Sequence, residues 1–162
     1  MTLLHPILAV DLGLRRTGLA RSDPGRTVAF GLPTFENTAG RSLKEHLRAL
    51  HREVPLGGVV LGLPLHADGR PGDLAGRVRR LAEWIRRELE LPVALLDERL
   101  TTFEAQDQLK EAPRRVRRRR EERDRMAAQV ILREFLAAGC PFTGMDGPPV
   151  ACAQDLPPAE GQ

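Results

Sequence analysis

Ile7-Leu8-Ala9-Val10-Asp11-Leu12-Gly13, continuing through Arg16, Gly18 and Ala20, is the stretch from which the rest of the chain reads. Four apolar residues run into a carboxylate, and glycines follow at once. A short apolar run bounded by turn residues is the pattern of a parallel strand buried on both faces. Asp11 then falls at the carboxyl edge of the sheet, where open α/β sheets bind their ligands. Gly13 and Gly18 leave room for a tight turn and for a close-approaching backbone.

Downstream, Thr17 to Ser22 and Thr27 to Phe35 read as two further extended pieces, with Asp23-Pro24-Gly25 as the turn between them. Connections this short favour an antiparallel meander with the first strand. Asn37 or Thr38 is placed to cap a helix carrying Leu43, Leu47, Leu50 and Val54, which Pro55 and Gly57 end. Gly58 to Leu63 is a second buried-strand pattern, closed by Pro64 and followed by a Gly/Asp/Pro-rich loop from His66 to Gly72. Leu74, Val78, Leu81, Ala82, Ile85 and Leu89 form one apolar helical stripe, with arginines mostly off it. Val93 to Leu96 is a third buried strand, ending in Asp97-Glu98-Arg99, and Thr101-x-x-Glu104 is a capping box that opens a helix stopped by Pro113. A like-charge block, Arg114 to Arg120, reads as a mobile loop that does not pack. The last helix runs from near Glu121 to about Ala138 on a stripe of Ala127, Ala128, Ile131, Leu132 and Phe135. The order β-β-β-α-β-α-β-α-α predicts an α/β protein. Its mixed sheet has five strands, three in an antiparallel meander and two parallel, with helices on both faces. Residues 1–138 form the domain, and 139–162 a Pro/Gly-rich tail expected to be disordered.

Composition narrows the function. The 162 residues are 41% hydrophobic and 29% charged, enough apolar content for one core, and the net charge of +3 says little by itself. Charge distribution says more, because eight arginines fall between Arg114 and Arg125. Cys140 and Cys152 lack metal-ligand spacing and do not suggest a disulfide framework. No leader-like segment and no run near the ~20 apolar residues of a membrane span is visible. The expectation is a soluble cytoplasmic protein with no membrane partner. Five Phe, one Trp and no Tyr leave little for a base-stacking platform.

Three acids stand at informative positions. Asp11 ends the first buried strand, Glu98 follows the last with Asp97 beside it, and Asp124 continues the buried stripe of the final helix. Each has an ordinary explanation alone: a turn-forming Asp, a Glu salt-bridged to Arg99, an Asp favouring a helix dipole. Together they can converge at one sheet edge, where a charge on a core-facing stripe needs compensation that a metal would supply. All-oxygen ligands suit Mg²⁺ or Mn²⁺ and leave positions open for phosphate, and a two-metal site can drive an in-line displacement. Arg114, Arg115, Arg117, Arg118, Arg119 and Arg120 beside them read as a salt-sensitive, sequence-blind phosphate clamp. His66 has no supporting context beyond its loop.

Four motifs in order resemble those of the YqgF/RuvX family. They are Asp11-x-Gly13-x-x-Arg16-x-Gly18-x-Ala20; Gly62-Leu63-Pro64-Leu65 with Asp68-Gly69; Asp97-Glu98-Arg99-Leu100-Thr101-Thr102; and Asp124-x-x-Ala127-Ala128-x-x-Ile131-Leu132. The resemblance covers about residues 6 to 138. It implies a ribonuclease H-like fold related to Holliday junction resolvases, and a nuclease acting on the 5′ end of pre-16S ribosomal RNA. It also implies that Asp11, Glu98 and Asp124 are the catalytic, metal-binding acids, with Asp97 a lesser candidate and Arg16 near the substrate phosphate. His66 stands where the family usually has Asn, and the loop before Asp124 is unusually rich in arginine.

The leading expectation is therefore a phosphodiester hydrolase cutting RNA, branched DNA or single-stranded DNA, as a monomer or a homodimer. An actin-like ATPase or sugar kinase also opens with Asp-x-Gly, but it needs a second domain of comparable size. A non-catalytic RNA-binding ribosome-assembly factor is the remaining alternative.

Overall fold

The computed structural model describes residues 4–37, 40, 42–64, 74–97, 116–139 and 142, and the side chains of the last helix from 122 onward. The elements are β1 (Ile7–Leu12), β2 (Arg16–Ser22), β3 (Ala29–Gly31), β4 (Phe35–Glu36), α1 (Leu43–Glu53), β5 (Gly58–Leu63), α2 (Ala75–Trp84), β6 (Val93–Asp97) and α3 (Val116–Ala137), with a π-helical turn, Ile85–Leu89, continuing α2.

The sheet runs β3-β2-β1-β5-β6, and β4 also pairs with β2. β1 and β2 are antiparallel, whereas β1, β5 and β6 are parallel. The expected third strand is broken in two: β3 pairs with the second half of β2 and β4 with its start. The register shifts by one residue between them, from Ala20 opposite Gly31 to Thr17 opposite Phe35, so one extra residue is accommodated in the stretch around Pro33, as in a β-bulge. Leu32 still donates to the Leu19 carbonyl at 2.9 Å, which keeps both pieces on the same edge.

Period-two alternation divides the core between the two sheet faces. Leu8, Val10, Leu19, Val59, Leu61, Leu63, Val93 and Leu95 face α1 and α2, with Leu47, Val78, Leu81 and Ile85 packed on them. Ile7, Ala9, Ala20, Val60, Ala94 and Leu96 face α3, whose Ala128, Ile131, Leu132 and Phe135 cover them. The α3 side carries mostly small strand residues, so that helix lies close to the sheet. Beyond 138, Gly139 and Phe142 are described: Phe142 meets Phe135 edge-on at 5.0 Å, and its ring lies over Gly58, where a Cβ would strike it.

Two local expectations are corrected. α1 is capped by Ser42, whose Oγ accepts from the Glu45 N–H at 3.4 Å; Asn37 is engaged elsewhere, and Thr38 lies outside the described residues. Residues 116–120 were expected to be a loop but are the first turns of α3. Arginine is a good helix former, and like-charge neighbours cost only a few tenths of a kcal/mol per pair, too little to stop a helix already nucleated by its packed half. The helix expected from Thr101 to Pro113 and the loop containing His66 lie outside the described residues, as does the tail from 143 on. No helix among the described residues is long and apolar enough to cross a membrane.

Candidate active site at the carboxyl edge of the sheet

Asp11 is the penultimate residue of β1 and continues the Ile7–Ala9 side of the strand, so it faces α3. Its cross-strand partner is Gly18. The missing side chain at Gly18 is what lets α3 down onto the sheet: a Cβ there would run into the backbone carbonyl of Asp124 and touch the Cβ of Ala128. The register of one hairpin and one glycine therefore bring Asp11 and Asp124, 113 positions apart in the chain, to the same end of the same face.

Arg16, two residues before Gly18 on that face, pairs with Asp124 (Nε–Oδ2 3.3 Å), both side chains being about one-quarter exposed. Asp11 is half-buried and has no hydrogen bond or ion pair among the described residues. Asp97 is buried, but alternation along β6 puts it with Val93 and Leu95, on the face away from α3. Glu98, Arg114 and Arg115 lie outside the described residues. Arg117, Arg118, Arg119 and Arg120 lie along the first turns of α3. Further along, Arg123 is exposed, whereas the Arg125 chain lies against Gly31 with its Nε buried and without a hydrogen-bond partner among the described residues. Among those residues no group of three or more His, Cys, Asp or Glu side chains is gathered closely enough to hold a metal ion.

Asn37 was not expected in this region except as a cap. Its side-chain amide donates to the Gly13 carbonyl at 3.1 Å and reaches that of Leu14 at 3.5 Å, and its backbone N–H donates to Arg15 at 2.8 Å. Buried Thr17 donates its hydroxyl to the Asn37 Oδ1 at 3.5 Å. This bracket fixes the β1–β2 turn that carries Arg16. Gly13 belongs to the same turn, since a Cβ there would collide with the Arg16 carbonyl. Nothing near Asn37 in sequence points to a partner more than twenty positions away, whereas the Ser42-x-x-Glu45 spacing was a readable cap signal.

The family model RuvX, described as Holliday junction resolvase, matches residues 5–138. A protein of Maridesulfovibrio salexigens named "Putative pre-16S rRNA nuclease" is 37% identical over 81% of this chain and 97% of its own length. One of the same name from Koribacter versatilis is 38% identical over 80% of this chain and 85% of its own. Among solved structures, T. thermophilus RuvC in complex with Holliday junction substrate shares the fold at a TM-score of 0.50 and 17% identity, over 84% of this chain and 97% of that one. The ribonuclease H-like topology, the ordered motifs and a match spanning every described strand agree: the chain belongs to the RuvX family.

Proposed function

We propose that this protein is a cytoplasmic, metal-dependent nuclease that hydrolyses phosphodiester bonds of nucleic acid, with Asp11, Glu98 and Asp124 as its metal-binding catalytic acids. The observation that carries the reading is the approach of α3 to β2 at Gly18, directly across from Asp11. Asp11 and Asp124, from distant parts of the chain, lie at the same end of one sheet face, and the Arg16 guanidinium pairs with Asp124. An all-oxygen donor set of this kind fits Mg²⁺ or Mn²⁺. With Asp97 on the opposite face, Glu98 is the remaining acid of its motif for the third ligand.

Bound between these acids, two such ions would supply the positive charge and acidity that an in-line displacement at phosphorus requires. Asp11 on β1, Asp124 on α3 and Glu98 would hold them. Arg16, at the start of β2 after the turn braced by Asn37, would meet a non-bridging phosphate oxygen, and its fork suits that geometry. The arginines of 114–120 would add salt-sensitive contacts to the backbone further along. The products expected are 5′-phosphate and 3′-hydroxyl ends. The relatives' names favour the 5′ end of pre-16S ribosomal RNA as substrate. Branched DNA is the second substrate to try, because the matched family is described as a Holliday junction resolvase.

The deciding experiment is a cleavage panel of RNA, single-stranded DNA and four-way junctions, each with Mg²⁺, Mn²⁺ or EDTA. Cleavage is expected with metal only, and Asp11→Asn should abolish it while leaving the fold and most nucleic-acid binding intact. Metal-independent binding with no cutting of any substrate would favour an RNA-binding assembly factor, and full activity in Asp11→Asn would remove that residue from the mechanism.

A further inference from the structure

Asp11 and the next residue, Leu12, look to opposite faces of the sheet. Leu12 helps line a cleft of about 360 Å³ between α1 and α2, lined also by Ser42, Leu43, Lys44, Arg77, Arg80 and Leu81. Its floor is apolar and its rim cationic: Leu81 is buried, Leu12 and Leu43 pack on the core, and Lys44, Arg77 and Arg80 are exposed.

The charges in this cleft are poorly balanced. Lys44 stands in the first turn of α1, and Arg77 and Arg80 in the first two turns of α2. Cations are unfavourable at the positive end of a helix. α2 has no side-chain cap and no acid in its first turn, and none of the three cations pairs with a carboxylate among the described residues. Lys44 is instead held over the ring of Trp84, its Nζ 5.6 Å from the centroid, and Arg48 lies over the same ring at 5.4 Å. α1 is capped by Ser42 and carries Glu45 in its first turn, so the imbalance lies on the α2 side, and three exposed cations around an apolar floor make an arrangement that an anion would relieve.

We propose that this cleft binds backbone phosphates of the nucleic-acid substrate, as a second contact track on the α1/α2 side of the sheet edge. The inference builds on the nuclease reading in one respect: a polyanion held at Asp11 crosses the edge at Leu12 and so meets the cleft. Lys44 acts as a point charge, the two arginines offer forked donors, and the apolar floor accommodates a sugar face. The contact is sequence-blind and sets affinity and path, not chemistry.

The test is fluorescence anisotropy of a labelled single-stranded RNA with the full chain in EDTA, so that neither metal nor cleavage is needed. The pair Arg77→Gln/Arg80→Gln should weaken binding about tenfold and flatten the dependence of log K on log salt by roughly 1.4, that is about 0.7 for each phosphate contact on a single strand. Lys44→Gln should lower the slope by about half as much. Arg79→Gln/Arg87→Gln removes the same charge from the same helix outside the cleft, and should change affinity less than about twofold. Equal losses in the two double variants would reduce the effect to net charge and overturn the proposal, as would an unchanged slope in Arg77→Gln/Arg80→Gln. The two readings fail separately. A chain that cuts nothing but binds RNA through the cleft ends the nuclease reading alone. A metal-dependent nuclease indifferent to the cleft variants ends this one alone.

Discussion

At the scale of single residues, Gly18 matters most, because its absent side chain sets the height of α3 above the sheet. Gly18→Ala places a Cβ against backbone, which cannot rotate away, so the helix must shift. Overpacking of this kind costs about 1–3 kcal/mol. Urea denaturation should show a loss in that range, and cleavage should fall further than stability, because the shift separates Asp124 from Asp11; a variant as stable and active as the wild type would contradict the close approach. Arg16 makes a different prediction. Its guanidinium neutralises Asp124 at 3.3 Å and so competes with any cation for that carboxylate. Arg16→Gln should tighten Mn²⁺ binding in calorimetry while weakening RNA binding, whereas looser Mn²⁺ binding would mean that the arginine organises the metal site. Asp23 lies away from this chemistry but reports on the fold. The Val28 N–H above all, and then the Thr27 N–H and hydroxyl, hold its carboxyl below the usual carboxylate range, against a smaller opposing loss of solvation. A depressed folded pKa gives stability that is present above the unfolded value of about 3.9 and is lost as pH falls through the folded one. The wild-type Tm should therefore drop more steeply than that of Asp23→Asn below about pH 4, and parallel curves would show that the turn contributes nothing to acid stability.

At the scale of elements, α3 is anchored by its far half. Phe135 is fully buried, contacts Phe142 and belongs to the cluster that faces the small residues of β1, β2, β5 and β6. Phe135→Ala should cost about 3–5 kcal/mol in chemical denaturation. A much smaller cost would mean that α3 is held from its arginine-rich end. The stripes that make β1, β2, β5, β6, α1 and α2 were legible because they record burial at periods of 2 and 3.6, which local sequence expresses directly. Three features were not, each for a physical reason. The break between β3 and β4 depends on a one-residue shift of register against β2 within an otherwise extended run, which local sequence does not show. The helical state of residues 116–120 depends on a nucleus downstream, so a like-charge block taken alone misleads. The Asn37 bracket is tertiary, and its local environment looked like that of a cap. The candidate site divides in the same way. Alternation and a helical stripe pointed Asp11 and Asp124 at one face. The glycine that brings them together had a readable type but no readable partner, and the opposite facing of Asp97 followed only once the register of β6 was known.

At the scale of the whole molecule, the proposed metal site would join parts of the chain that otherwise meet only through packing. β1 and α3 place Asp11 and Asp124 at the same end of one sheet face, and carboxylates drawn into one proposed metal site would repel each other without a cation between them. The guanidinium of Arg16 offsets this on the Asp124 side only. A ligand that binds the folded state alone stabilises it by RT ln(1 + [L]/Kd), about 2.7 kcal/mol at a hundredfold excess over Kd. For a chain of this length that corresponds to roughly 5–10 °C in Tm. Mn²⁺ should therefore raise the Tm of the whole protein by an amount in this range, EDTA should reverse it, and Asp11→Asn and Asp124→Asn should each remove most of it. The two variants should also differ without metal. Losing either charge relieves repulsion at the edge, but Asp124→Asn also abolishes the ion pair with Arg16, so Asp11→Asn should be the more stable of the two metal-free proteins. An Mn²⁺ shift of equal size in both variants and the wild type would mean that the ion binds elsewhere, and these acids would then lose their claim to hold it.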